Sequence, residues 1–192
     1  MGRGNTQKRE NRMRKGKRKW MVWMLLLAVC LSIIPRGEQR MVKADSATAN
    51  VTYLGKLGEL SAGTKKKSGK WWKLKVNGKP AFCLNMGYTC HSGDVYVSNN
   101  TSFSSKDTGK KKWKAYVGYW FDHTKKEANK AYVFAQALFW SIEEGAYSSQ
   151  DLINVLTTMK ANTGYFGAQS AEALYQEIFG VSGEVNITAT VW

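Results

Sequence analysis

Cysteine is the strongest nucleophile in the sequence, and Cys83 sits in an apolar, strand-like stretch, "KPAFCL" (79–84). Its thiolate can attack a carbonyl. The chain holds two histidines, His91 and His123, either of which could act as the base of a Cys–His hydrolase pair. The plainer role for His123, in "FDHTKK", is a solvated turn residue. A second feature is an amide in an unexpected place. Gln136 stands in "VFAQALFW" (133–140), a run that is otherwise wholly apolar. A buried amide without a partner costs about 1–3 kcal/mol, so something must satisfy it. At the edge of an apolar face, a backbone group or water would do. Other chemistries find no residues. There is no Gly-rich phosphate loop and no His/Cys spacing that suits zinc. Glu143 and Glu144 are adjacent and point to different sides of a helix, which does not make an acid–base pair. No metal or cofactor is expected.

These residues must be positioned by a chain of 192 residues with 43% hydrophobic and 12% aromatic content, enough to bury a core. The formal charge of +15 suggests nucleic acid, but its distribution argues against that partner. Residues 1–44 carry 12 Lys/Arg against 2 Asp/Glu, and residues 45–192 carry 17 against 12. The excess is concentrated in what reads as a signal peptide, residues 1–44: a long basic stretch (1–20), an apolar segment (21–34), Pro35, and small residues before Asp45 for cleavage. Fourteen apolar residues of helix reach about 21 Å, short of a hydrocarbon core of about 30 Å, so a membrane anchor is disfavoured. Cys30 leaves with this leader. A secreted chain keeping Cys83 and Cys90 would usually join them in a disulfide.

Residues 45–192 read as one α+β domain. Strand signals occupy "VTYLGKLGEL" (51–60), "WWKLKVNG" (71–78) and "DVYVS" (94–98), with a tight turn at Asn77-Gly78. Residues 99–112 read as a polar loop, and 113–123 fit strand or helix equally. Helical periodicity covers 125–144, with Ala128, Ala131, Tyr132, Ala135, Phe139 and Ile142 on one face and Gln136 at its border. Lys126, Lys130, Ser141 and Glu144 fall opposite. A second helix runs from Ser149 to about Ala161. A third starts at Ser170, a good N-cap, and stops at Gly180. Residues 183–192 return as a strand. The Lys- and Trp-bearing stretches 65–75 and 110–114 read as solvated loops able to touch sugars or anionic polymers.

Taken together, Phe82-Cys83-Leu84, Gly87, Ser92-Gly93 and Tyr96, followed about fifty residues on by "AQALFW" (135–140), resemble a known family. They are similar to the thioester domains of Gram-positive surface adhesins, the class named for its TQXA glutamine motif. The resemblance covers roughly residues 50–192. Ala135 stands where the family has Thr, and Cys90 is an additional cysteine. The resemblance implies a β-sandwich-like subdomain with an inserted helical subdomain of about three helices. It implies that Cys83 and Gln136 condense, losing ammonia, into an internal thioester. An amine, a lysine of a host surface or matrix protein or of a neighbouring protein, would then attack the thioester carbonyl and leave an amide on Gln136. Phe82, Tyr132, Phe139 and Trp140 would shield the bond from water. His91, Asp122 and Tyr132 are the candidates for assisting it. The expected protein is a monomeric, secreted adhesin at the Gram-positive cell surface, acting once rather than turning over, with anionic wall polymers as further contacts. The alternatives are a non-covalent extracellular binding module with a Cys83–Cys90 disulfide and a Cys–His hydrolase.

Overall fold

The computed structural model describes residues 46–86, 90–97 and 99–191. The leader and its cleavage site lie outside the described residues, as does Cys30. The chain from Ala44 onward forms one compact unit, and its class is α+β.

Eight strands and four helices are described. The strands are β1 (Ser46–Lys56), β2 (Leu60–Ala62), β3 (Lys65–Lys67), β4 (Lys70–Val76), β5 (Lys79–Ala81), β6 (Val95–Val97), β7 (Asn99–Ser104) and β8 (Asn186–Val191). The helices are α1 (Lys110–His123), α2 (Ala128–Glu143), α3 (Ser149–Thr163) and α4 (Ala171–Phe179). All the described pairings are antiparallel. One sheet has the order β5-β4-β1-β6, and β2-β3 and β7-β8 form two-stranded ladders.

The β4–β5 hairpin turns on Asn77 and Gly78, with φ of 49° and 76°. Two successive positive φ values are what a two-residue turn matching the strand twist requires. In β4 side chains alternate between faces: Trp71 is buried against the helices while Trp72 is exposed. The alternation makes one half of "KWWKLK" structural and leaves the other half in solvent.

The helices are an insertion between β7 and β8, which pair with each other along their full lengths. Residues 99–104, expected as loop, are therefore a strand. Residues 113–123, ambiguous in sequence, belong to α1. Its Gly118 admits β8 closely, since a Cβ there would run into Ile187 Cδ1. Of the helix starts expected from sequence, α3 has a full capping box between Ser148 and Asp151, and the Ser170 hydroxyl accepts from Ala173 N–H at the start of α4.

The β-sandwich does not appear. The largest sheet meets helix, not a second sheet, on the side where Trp71 enters the main core with Trp120, Phe134, Leu138, Leu156 and Ile178. Its other face carries a small cluster of Ala47, Ala49, Leu74 and Val76. The physical reason is α2, whose residues Ala131 to Ile142 are all buried. A helix apolar all round sits at the centre of a core, and this one leaves no room for a second sheet.

One charged cluster fastens the end of α2. Lys110 donates to the Glu143 carbonyl oxygen at 2.6 Å and to its carboxylate at 3.0 Å, and Lys114 pairs with the same carboxylate. Burial pushes the Glu143 carboxyl up, but the two lysines outweigh it and hold the pKa below the ordinary value. A lowered carboxylate pKa stabilises the fold above the unfolded-state pKa, and that stability is lost as pH falls through the folded one. Glu143→Gln is thus expected to cost about 2–3 kcal/mol at neutral pH. The cost should shrink toward zero at an acid pH low enough to protonate the wild-type carboxylate as well. Urea unfolding at the two pH values measures the difference.

Candidate functional site

Gln136 lies at the middle of α2 and is 2% exposed. It is not at the border of an apolar face, because α2 is covered on every side. Its amide is satisfied by one residue. Gln136 Nε2 donates to the Cys83 carbonyl oxygen at 2.6 Å, and Cys83 N–H donates to Gln136 Oε1 at 3.0 Å. The carboxamide thus straddles the Cys83 Cα, and the Cys83 sulfur is two bonds from that atom. The two residues are 53 positions apart in sequence.

Tyr132, one helical turn before Gln136, explains how Cys83 arrives there. Leu74 and Ala81 face each other where β5 ends. The Tyr132 hydroxyl accepts from Leu74 N–H at 3.0 Å and donates to the Ala81 carbonyl at 2.8 Å. The phenol therefore fixes the last rung of the β4–β5 ladder onto α2. The chain leaves the ladder two residues later, at Cys83, directly over Gln136. The same hydroxyl lies 3.4 Å from Gln136 Oε1. Burial pushes the Tyr132 pKa far above its ordinary value, so the phenol stays neutral.

Aromatic rings surround the pair. Phe82 stacks on Tyr132 at 4.8 Å and meets Phe139 at 4.8 Å and Phe121 at 4.9 Å. Trp140, one turn beyond Gln136, packs against Trp71 at 5.4 Å with Lys67 Nζ over its ring at 5.9 Å. The structure thus brings Phe82, Tyr132, Phe139 and Trp140 together with Cys83 and Gln136. Phe121 and Trp71 complete the wall and were not singled out from sequence. The inward alternation of β4 was the signal for Trp71; Phe121 had none, because its segment had no assigned structure.

Cys83 is half-buried and held as a thiol that donates to the Asn85 carbonyl at 3.1 Å. No disulfide joins it to Cys90, whose sulfur lies beside it. The contact with Cys90, together with burial, pushes the Cys83 pKa well above its ordinary value, against smaller pulls from Asn85 and the Trp140 indole.

Of the candidate assisting residues, Tyr132 stands beside Gln136, and the other two make their described contacts away from the pair. His91 is exposed, and its N–H and ring face Asp94 at 2.7 and 3.8 Å. His123 stacks on Tyr119 at 4.1 Å and bonds its carbonyl at the end of α1. Asp122 is exposed on the same turn, and desolvation by the surrounding chain raises its pKa against the pull of His123. None of the described hydrogen bonds or ring contacts connects His91, His123 or Asp122 to Cys83. No protein-family model matches the chain, and no curated protein or solved structure matches it either.

Proposed function

We propose that the protein is a secreted adhesin domain whose Cys83 and Gln136 condense into an internal thioester that captures an amine. One observation carries the reading: the carboxamide of a buried helical glutamine is held by both main-chain polar groups of a cysteine. The chain supplies the reactants, thiol and carboxamide, side by side. In the condensation Sγ bonds to the Gln136 carboxamide carbon, the C–N bond breaks, and the thiol proton departs on nitrogen as ammonia. Gln136 Oε1 takes up negative charge on the way. Cys83 N–H already donates to that oxygen, and the Tyr132 hydroxyl, 3.4 Å away, is near enough to turn its one proton from the Ala81 carbonyl to that oxygen as charge builds. The aromatic wall keeps water from the product. Capture runs through the same oxygen. An amine nitrogen bonds to the carbonyl carbon, the C–S bond breaks, and the amine proton ends on sulfur. The amide formed has the resonance of a C–N bond with partial double-bond character, which a thioester lacks, so the link is retained once made. The target is a protein lysine at the cell surface or in the surrounding matrix, and no cofactor enters.

A second reading is a non-covalent binding module in which Gln136 is only a clamp. It draws on Tyr53 and Trp72, cross-strand neighbours 4.7 Å apart that are each 46% exposed, with Lys56 facing Lys70 farther along the ladder. An aromatic platform flanked by cations suits an anionic glycopolymer. Intact mass separates the two readings. The thioester predicts a full-length chain lighter than its sequence by one ammonia, with the sequence mass restored in Cys83→Ala and Gln136→Ala. A wild-type chain at its sequence mass, or short only by the two hydrogens of a disulfide, leaves the binding module.

A further inference from the structure

Trp140 is the one side chain among the described residues with a buried nitrogen or oxygen that lacks a hydrogen-bond partner: its indole N–H, in a residue 7% exposed. Such a donor normally finds an acceptor, since leaving it bare costs about 1–3 kcal/mol. Its place in the fold sets it near the Cys83 thiol. Trp140 follows Gln136 by four residues, hence on the same side of α2, and the Gln136 amide grips Cys83. Trp71 and Lys67 hold the other sides of the indole.

The geometry points to Trp140 as a catalytic donor, its Nε1–H waiting for the Cys83 sulfur as that sulfur takes up the electron pair of the breaking C–S bond. This inference rests on the thioester reading. In the thiol form the sulfur donates its proton toward Asn85 O, and the indole N–H makes no hydrogen bond. As an amine displaces it, charge accumulates on sulfur before the amine proton arrives, and the indole N–H gains an acceptor strong enough to draw a hydrogen bond. The indole keeps its own proton throughout. The bare N–H of the resting state is thus an interaction reserved for the transition state.

The test compares wild type with Trp140→Phe and with 3-benzothienylalanine installed at position 140, which keeps the indole shape and lacks the N–H. All are full-length chains kept reduced with a phosphine. The first readout is the rate of methylamine incorporation. A fall of about tenfold or more in both variants, with thermal midpoints near wild type for the shape-matched one, is expected. The second readout is alkylation of Cys83 by iodoacetamide at fixed pH after exhaustive methylamine treatment, mapped by peptide to separate it from Cys30 and Cys90. Cys83 is then a thiol whether or not a thioester had formed. Loss of the donor should slow its alkylation several-fold, whereas a merely structural role would leave it unchanged or faster as packing loosens. Unchanged rates in the benzothienylalanine protein overturn the proposal. A wild type that takes up no methylamine sinks the thioester reading, and the alkylation comparison still decides whether the indole serves the sulfur.

Discussion

Methylamine added to the full-length protein is expected to do two things at once. It should raise the mass by one methylamine and expose one new alkylatable thiol, with the adduct on the peptide carrying Gln136 and the thiol at Cys83. Neither change should occur in Cys83→Ala or Gln136→Ala, so the effect is all-or-none. The pairing of the two events is the discriminating part. A disulfide opens to give thiols without any adduct. A Cys–His hydrolase would turn over and retain no amine, and neither histidine is connected to Cys83 by a described contact. The prediction follows from the positions of Gln136 on α2 and Cys83 just after β5, since the carboxamide already engages both polar groups of the Cys83 main chain. Adduct at any other glutamine would sink it.

Replacing Trp71 with alanine should cost about 3–5 kcal/mol of unfolding free energy, the range for deleting a large buried aromatic side chain. Trp71 is fully buried in the main core and donates its indole N–H to the Gly58 carbonyl at 2.9 Å. The truncation removes apolar contact area, opens a cavity, and leaves a carbonyl without its donor. It also removes the ring against which Trp140 packs. Urea denaturation should show a lower midpoint with an unchanged slope. Trp72→Ala, one residue on, removes an exposed ring and should cost well under 1 kcal/mol. A similar cost for the two would mean that the faces of β4 are misassigned.

What the sequence revealed depended on how local the cause was. The Asn77-Gly78 turn and the Ser170 cap were legible because backbone conformation and capping are decided within a few residues. β7 was not: "NNTSFS" has no apolar alternation, and it is a strand because β8, more than eighty residues later, pairs with it. Gln136 was found, but its setting was misjudged. Lys130 and Ser141 suggested a polar face on α2, yet Lys130 lies near the helix start, where it pairs with Glu127. Ser141 satisfies its own hydroxyl on the Ala137 carbonyl, and is buried. In β4, Lys73 broke the apolar pattern because it points inward, where Asn129 accepts its ammonium at 3.0 Å. The aromatic residues of the site could be read from their closeness to Cys83 and Gln136 in sequence. Phe121 and Trp71 come from distant segments, and only the fold assembles them.

The closeness of Cys90 to Cys83 turns maturation into a contest of rates. One sulfur has two possible fates. An external disulfide or another two-electron oxidant can take a hydrogen from each thiol and tie Cys83 to Cys90. Gln136 can claim the same sulfur instead, but only once β5 and α2 have met. Helices and hairpins form in microseconds, while disulfides form in seconds to hours. On the proposed thioester reading, a chain that folds promptly presents its sulfur to glutamine before oxidation begins. On the same reading, a chain delayed in the unfolded state would be diverted to the disulfide and would fold without a sulfur left to bond.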